Sequence, residues 1–183
     1  MGLDIVYETH AVTTDNEAGR ATGWLPGELS PYGRICARQL GERRRDDGLA
    51  GIFCSDLARA VETVEIAFRG WRIPIHRDSR LRECNYGELN GMPVGQLDAI
   101  RRQHVDQPFP GGQSYRDVVD QTRSLLRDLV AAWDDHRVLL LGHSANRWAL
   151  DHLLTGRPLE ELVAAPFDWQ EGWSYFVPTG WTG

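Results

Sequence analysis

The chain of 183 residues contains no lysine: all 20 basic residues are arginine, set against 26 acidic ones, for a formal net charge of -6. That sign argues against a general nucleic-acid surface. The uniform arginine reads first as compositional bias, and it also suits a site that grips oxyanions through planar forks. Cysteine is scarce. Cys36, Cys54 and Cys84 are odd in number and lack metal-type spacing, which points to inert thiols in a reducing compartment. The six histidines are too scattered to suggest a metal site. No apolar run is long enough to cross a membrane. The opening stretch MGLDIVYETHAVT has neither the basic region nor the apolar core of a signal peptide. The expectation is a cytoplasmic protein with no cofactor, no metal, and no nucleic-acid or membrane partner; a homodimer is left open.

What is present is ordinary for a globular chain, with 42% hydrophobic and 25% charged residues, enough for one domain over 1–183. LDIVYE (3–8) reads as a buried strand, and 9–29, rich in Gly, Thr, Asn and Asp, as a loop. Ser30-Pro31 opens a helix that runs to about Asp47, with Ile35 and Leu40 inward and Arg43-Arg44-Arg45 on a solvated face. GIFCS (51–55) is a second strand and 56–68 a second helix. IPIHR (73–77) is an edge strand because of Pro74. A short helix near 94–103 precedes a long amphipathic one from Ser114 to about Trp133. A strand at 138–141, a helix at 144–154 and a last strand at 173–177 complete the order. Strands alternating with helices give an α/β three-layer sandwich with a mostly parallel sheet. Ligands of such sheets bind at the carboxyl ends of the strands, where His10, Ser55 to Arg59 and His143 fall.

VLLLGHSANRWAL (138–150) is a strand, a sharp turn and a helix with two reactive residues at the tip. Ser144 could be the nucleophile of a serine hydrolase. Such an elbow needs a later histidine that can fold back, and the sole later one, His152, sits inside the same helix. The elbow's last Gly is also replaced, by Asn146. His143 is therefore the better candidate, with Ser144 opening the helix and its backbone N–H helping to hold an anion.

Five stretches in order support that choice: Thr9-His10-Ala11 through Asn16 with Gly19-Arg20 and Gly23-Trp24; Ser55-Asp56-Leu57 with Arg59 and Thr63; Leu81-Arg82-Glu83 with Tyr86-Gly87-Glu88 and Gly91; Pro110 to Ser114; and Val138 to Leu154. Together they resemble the motifs of the histidine phosphatase superfamily, the phosphoglycerate-mutase-like enzymes. The resemblance implies that His10 takes the phosphoryl group, that Arg59 and His143 clamp its oxygens, and that Glu83 protonates the leaving oxygen and later activates water. Asn16 would stand at the pocket wall, with Thr9, Arg20, Gly23, Arg82 and Ser144 as further substrate contacts. The implied activity is a metal-independent phosphatase acting on a small phosphomonoester. The chain is short around the third motif, with 18 residues between Gly91 and Pro110, which favours hydrolysis over a mutase.

The pattern is broken at its start. Thr9 stands where the family has arginine, Ala11 and Val12 replace Gly and Glu, and Ser144 replaces the Gly after the second histidine. A guanidinium on a phosphate is a strong charge-assisted contact, and a threonine hydroxyl is neutral. Three readings stay open: Arg20, Arg82 or Arg147 supplies the charge; the enzyme is slow or has an unusual substrate; or the scaffold only binds phosphorylated ligands. The first two are favoured, because Glu83 has no evident use in a mere binder.

Overall fold

A computed structural model describes all 183 residues. Its strands are β1 (Gly2–Thr9), β2 (Gly51–Cys54), β3 (Ile75–Arg77), β4 (Arg137–Gly142) and β5 (Trp173–Pro178). They form one sheet in the order β3-β2-β4-β1-β5, with only β5 antiparallel. The helices are α1 (Thr14–Glu17), α2 (Pro31–Arg43), α3 (Ala58–Ala67), α4 (Val94–Ile100), α5 (Tyr115–Trp133), α6 (Ser144–Thr155) and α7 (Leu159–Ala164). No helix is long and apolar enough to cross a membrane.

Strand periodicity divides the core. On one face Val6, Leu139 and Leu141 pack with Leu40 of α2 and Val64 of α3. On the other, Leu3, Ile5, Tyr7 and Leu140 meet Leu125, Leu126 and Leu129 of α5 and Leu150 of α6. A third cluster, including Cys84, Phe109, Tyr115, Trp148 and Leu162, packs the 84–109 segment against α5, α6 and α7. This is the three-layer α/β arrangement read from the alternating pattern.

Five details differ from expectation. The 9–29 loop contains α1, because Thr13 and Asn16 satisfy each other's backbone N–H groups in a reciprocal cap. The first long helix ends at Arg43, before Asp47. Ile35 is 44% exposed, not inward. Arg43 and Arg44 are not merely solvated: both grip Glu8, which is 1% exposed, at 2.7 to 3.0 Å. A buried carboxylate needs such partners, and the arginines supply them. Helix α7 was not expected, since its six residues are too few to show a period.

Candidate active site

Thr9 of β1 and Gly142 of β4 are register partners, so His10 and His143 leave adjacent parallel strands side by side. The His10 N–H donates to Gly142 O at 3.1 Å. Around the second histidine, the Tyr7 hydroxyl donates to His143 O at 2.6 Å and His143 N–H to Asn146 Oδ1 at 2.9 Å. Asn146 Nδ2 then donates to Arg82 O at 3.0 Å, tying the start of α6 to the loop that carries Glu83. Gly142 must be glycine: a Cβ there would stand 2.6 Å from Asn146 Oδ1 and 2.8 Å from the Tyr7 hydroxyl.

Arg59, in the first turn of α3, is 2% exposed and bridges the two rings. Its Nε–H donates to His10 Nε2 at 3.3 Å, and its Nη2 to His143 Nδ1 at 3.2 Å and to Gly23 O at 2.8 Å. A guanidinium can only donate, so both imidazole nitrogens facing it are acceptors. His10 therefore carries its hydrogen on Nδ1, which donates to Ala11 O at 2.8 Å, and a lone pair on Nε2. His143 carries its hydrogen on Nε2, a buried donor with no acceptor around it. The ring centroids are 5.0 Å apart. Burial first and the Arg59 charge second push His10 down to about 3, and the same two causes hold His143 well below its ordinary value. Both rings are neutral at pH 7.

Glu83 is buried at the N-terminus of α6. Its Oε1 accepts from Cys84 N at 2.8 Å and Ala145 N at 3.3 Å, and its Oε2 from the Ser144 hydroxyl at 2.9 Å. The helix start expected to hold a substrate anion thus holds this carboxylate, and the Ser144 hydroxyl is committed to it. No imidazole hydrogen-bonds Ser144, which leaves the serine-hydrolase arrangement unformed; His152 instead lies 3.2 Å from Arg116. Trp24 fixes the Glu83 loop from the other side, donating through Nε1 to Glu83 O at 2.7 Å.

A cavity of about 620 Å³ opens over these groups, with Thr9, His10, Asn16, Arg20, Gly23, Arg59, Glu83 and Ser144 on its wall. His143 lies just behind that wall, 1% exposed. Arg82 does not line the cavity: it is paired in two-pronged fashion with Asp56 at 2.6 and 2.7 Å and stacks over Trp24. Arg147 is likewise engaged, by Asp151 and by the Trp173 ring. Arg20 remains, exposed, with a single contact to Gly91 O at 3.2 Å and no carboxylate partner.

Two imidazoles at neighbouring strand ends, a buried arginine between them and a carboxylate nearby make a site suited to phosphoryl transfer. Residues 9–171 match the histidine phosphatase superfamily (branch 1), and the chain belongs to that superfamily. It is 30% identical to the probable phosphoglycerate mutase GpmB of Salmonella paratyphi B, over 98% of this chain and 90% of that one. Among solved structures it is similar to YhfR of Bacillus stearothermophilus, at 29% identity and a TM-score of 0.80, covering 92% of this chain and 88% of that one. A mycobacterial glucosyl-3-phosphoglycerate phosphatase complexed with VO3 is 29% identical with a TM-score of 0.79, covering 89% and 87%. A putative alpha-ribazole-5'-P phosphatase of Escherichia coli, 16% identical with a TM-score of 0.80, shares the fold over 100% of this chain and 99% of that one.

Several supporting roles were not evident from the sequence. Thr63, which the second stretch includes without a role, accepts from Ala11 N at 3.0 Å and donates to Arg59 O at 2.7 Å, locking the loop after β1 to the arginine's helix. Asn146 registered only as a missing glycine, although a buried amide beside the turn that carries His143 is itself a signal. The cavity-wall residues Leu97, Trp148 and Phe167 carry apolar side chains and gave no sign distinct from core.

Proposed function

We propose that the protein is a metal-independent phosphatase that hydrolyses phosphomonoesters through a phosphohistidine on His10. The observation that carries this reading is the matched pair of ring nitrogens: His10 Nε2 offers a lone pair and His143 Nε2–H is a donor without an acceptor. A neutral imidazole at pH 7 is a competent nucleophile, and burial keeps His10 in that form. When a phosphate enters, the Arg59 Nε–H releases the His10 lone pair and turns to a phosphate oxygen. Arg59 then neutralises charge on the equatorial oxygens and the His143 Nε2–H donates to one of them, which is most of what this reaction requires. His10 Nε2 attacks phosphorus as the bond to the ester oxygen breaks, and the proton that the phosphomonoester brings as its monoanion passes through the Glu83 carboxylate to that oxygen so that the alcohol leaves. In the second half, water attacks phosphorus, Glu83 takes its proton, the P–N bond breaks, and inorganic phosphate and neutral His10 are restored. Arg59, Arg20 and His143 bring the positive charge and the donors, so the scheme needs no metal.

The test is p-nitrophenyl phosphate hydrolysis after chelator treatment, with rapid-quench detection of acid-labile phosphate on the protein. Wild type should turn over and show the label. His10→Asn should lose both. Ser144→Ala should keep the label and stay within about tenfold of wild-type rate, because it removes only one of three contacts to Glu83. An active His10→Asn together with an inactive Ser144→Ala would refute this mechanism. So would binding of vanadate and phosphate with no turnover of any monoester, which is the outcome for a scaffold that only binds phosphorylated ligands.

A further inference from the structure

The cavity is far larger than a phosphate group needs. At about 620 Å³ it is within the range, roughly 300–1,000 Å³, in which pockets enclose ligands of drug size. Beyond the catalytic groups its wall carries a set of large apolar side chains among polar ones: Leu97 of α4, Trp148 of α6, Phe167 and Trp169 from the segment after α7, and Tyr32 of α2. Two of these large aromatics are set out in solvent, Tyr32 at 60% and Trp169 at 56% exposure, with no packing role to account for them. Aromatic side chains exposed on a cavity rim are the kind that bury ligand surface.

The charges on the same wall are already spent. Arg101 is paired with Asp98 and lies over the Trp148 ring. Arg43 is paired with Glu8 through Nε and Nη2, both at 3.0 Å. Glu171 presents a carboxylate with no basic partner for its side chain. Outside the His10–Arg59–His143 cluster, Arg20 is the one cation of the wall without a carboxylate partner, and the vacancy at Thr9 gives it a use on the phosphate itself. No charge is left over for a second acidic group on the substrate, and Glu171 would repel one.

We infer that the substrate is a phosphomonoester of a bulky alcohol carrying an aromatic, uncharged body, not a phosphorylated small acid or sugar acid. This rests on the phosphatase reading and narrows it. The body lies along the part of the wall that Leu97, Trp148, Tyr32 and Trp169 line, while the phosphate sits over His10.

Three primary-alcohol phosphates of comparable intrinsic reactivity test this: propyl phosphate, 3-phenylpropyl phosphate and 3-phosphoglycerate. The expected kcat/KM for 3-phenylpropyl phosphate exceeds that for propyl phosphate by at least about 30-fold, the scale that burying one phenyl ring supports. 3-Phosphoglycerate should be the poorest of the three. Trp169→Ala, at an exposed position that keeps the fold safe, should shrink the phenylpropyl-to-propyl ratio by about fivefold or more. A ratio near one, a preference for 3-phosphoglycerate, or a ratio untouched by Trp169→Ala would overturn the inference while leaving the phosphatase reading intact. Inactivity on all three and on p-nitrophenyl phosphate would overturn the phosphatase reading, and this inference with it.

Discussion

At the scale of single residues, Thr9 stands where the resemblance drawn from the sequence leads one to expect arginine, and the surroundings define what can compensate. Arg82 is held by Asp56 and Arg147 by Asp151, so neither is free to turn toward a phosphate. Arg20 lines the cavity with one weak backbone contact and is free to move. Losing a preorganised oxyanion contact costs about 100- to 1000-fold in rate, and a solvent-exposed cation recovers only part of that. Arg20→Ala is therefore expected to lower kcat/KM by about tenfold, and Thr9→Arg placed in that variant should restore it. Thr9→Arg alone, with Arg20 still present, should gain little, because a second guanidinium meets the first. Steady-state kinetics on the four proteins of this cycle decide the matter. If Arg20→Ala is silent and Thr9→Arg alone accelerates strongly, the vacancy at position 9 is unfilled and the enzyme is a weakened member of its family.

At the scale of elements, α2 shows how a helix is brought close enough to build the site. Gly33, Ala37 and Gly41 recur every four residues and form one smooth face, buried against the loop after His10 and against α3. A Cβ on Gly33 would lie 1.8 Å from Val12 O, and one on Gly41 2.0 Å from Ala67 O. Gly33→Ala would raise helix propensity by about 1 kcal/mol, yet it must push α2 off the loop that follows His10, an overpacking cost of about 1–3 kcal/mol. The expected outcome is a lower urea midpoint with an unchanged slope, and a loss of kcat larger than the loss of stability alone explains. A stability gain would mean that the loop yields freely. The same helix marks the limit of what the sequence discloses. Its start, its cap at Ser30 and its inward Leu40 were legible, because caps and periodicity are local signals. The roles of Arg43 and Arg44 were not, since their partner Glu8 is some 35 residues away and only the packing of α2 on the sheet brings it near. The strand ends carrying His10 and His143, and the Glu83 loop, were legible because each motif is contiguous. The cavity wall was not, since Leu97, Trp148 and Phe167 have the chemistry of a core and only the fold leaves a space in front of them.

At the scale of the whole molecule, the two imidazoles link the active site to the protein's stability. In the unfolded chain each histidine takes up a proton as the pH falls through about 6.5. In the folded protein His10 stays neutral until about 3, and His143 is also held well below the ordinary value, in both cases by burial and then by Arg59. Between those limits the unfolded state binds more protons than the native state, so stability rises with pH and is lost on acidification. Each imidazole contributes a slope of up to about 1.4 kcal/mol per pH unit, and the two together up to about 2.7. The depressed carboxylates do not share this window. Asp56, held low by the Arg82 bond, and Asp78, held low by Arg80 against the opposing effect of burial, lose their contribution only as the pH falls below the ordinary carboxylate range. Total stabilities of domains are about 5–15 kcal/mol, so a loss of this size from pH 6.5 to 5 is a large share of the whole. Urea unfolding at pH 7.5, 6.5, 5.5 and 5 should show a midpoint that is flat above about 6.5 and falls steeply below it at constant slope. His10→Asn, which cannot titrate in this range, should remove close to half of the fall. On the phosphatase reading inorganic phosphate binds the native state alone, so its presence should raise the whole curve without abolishing the bend. A midpoint independent of pH from 7.5 to 5, or a fall unchanged in His10→Asn, would show that these rings take up protons in the folded protein as readily as in the unfolded one. A protonated His10 could not then serve as the nucleophile at the acidic end of the range.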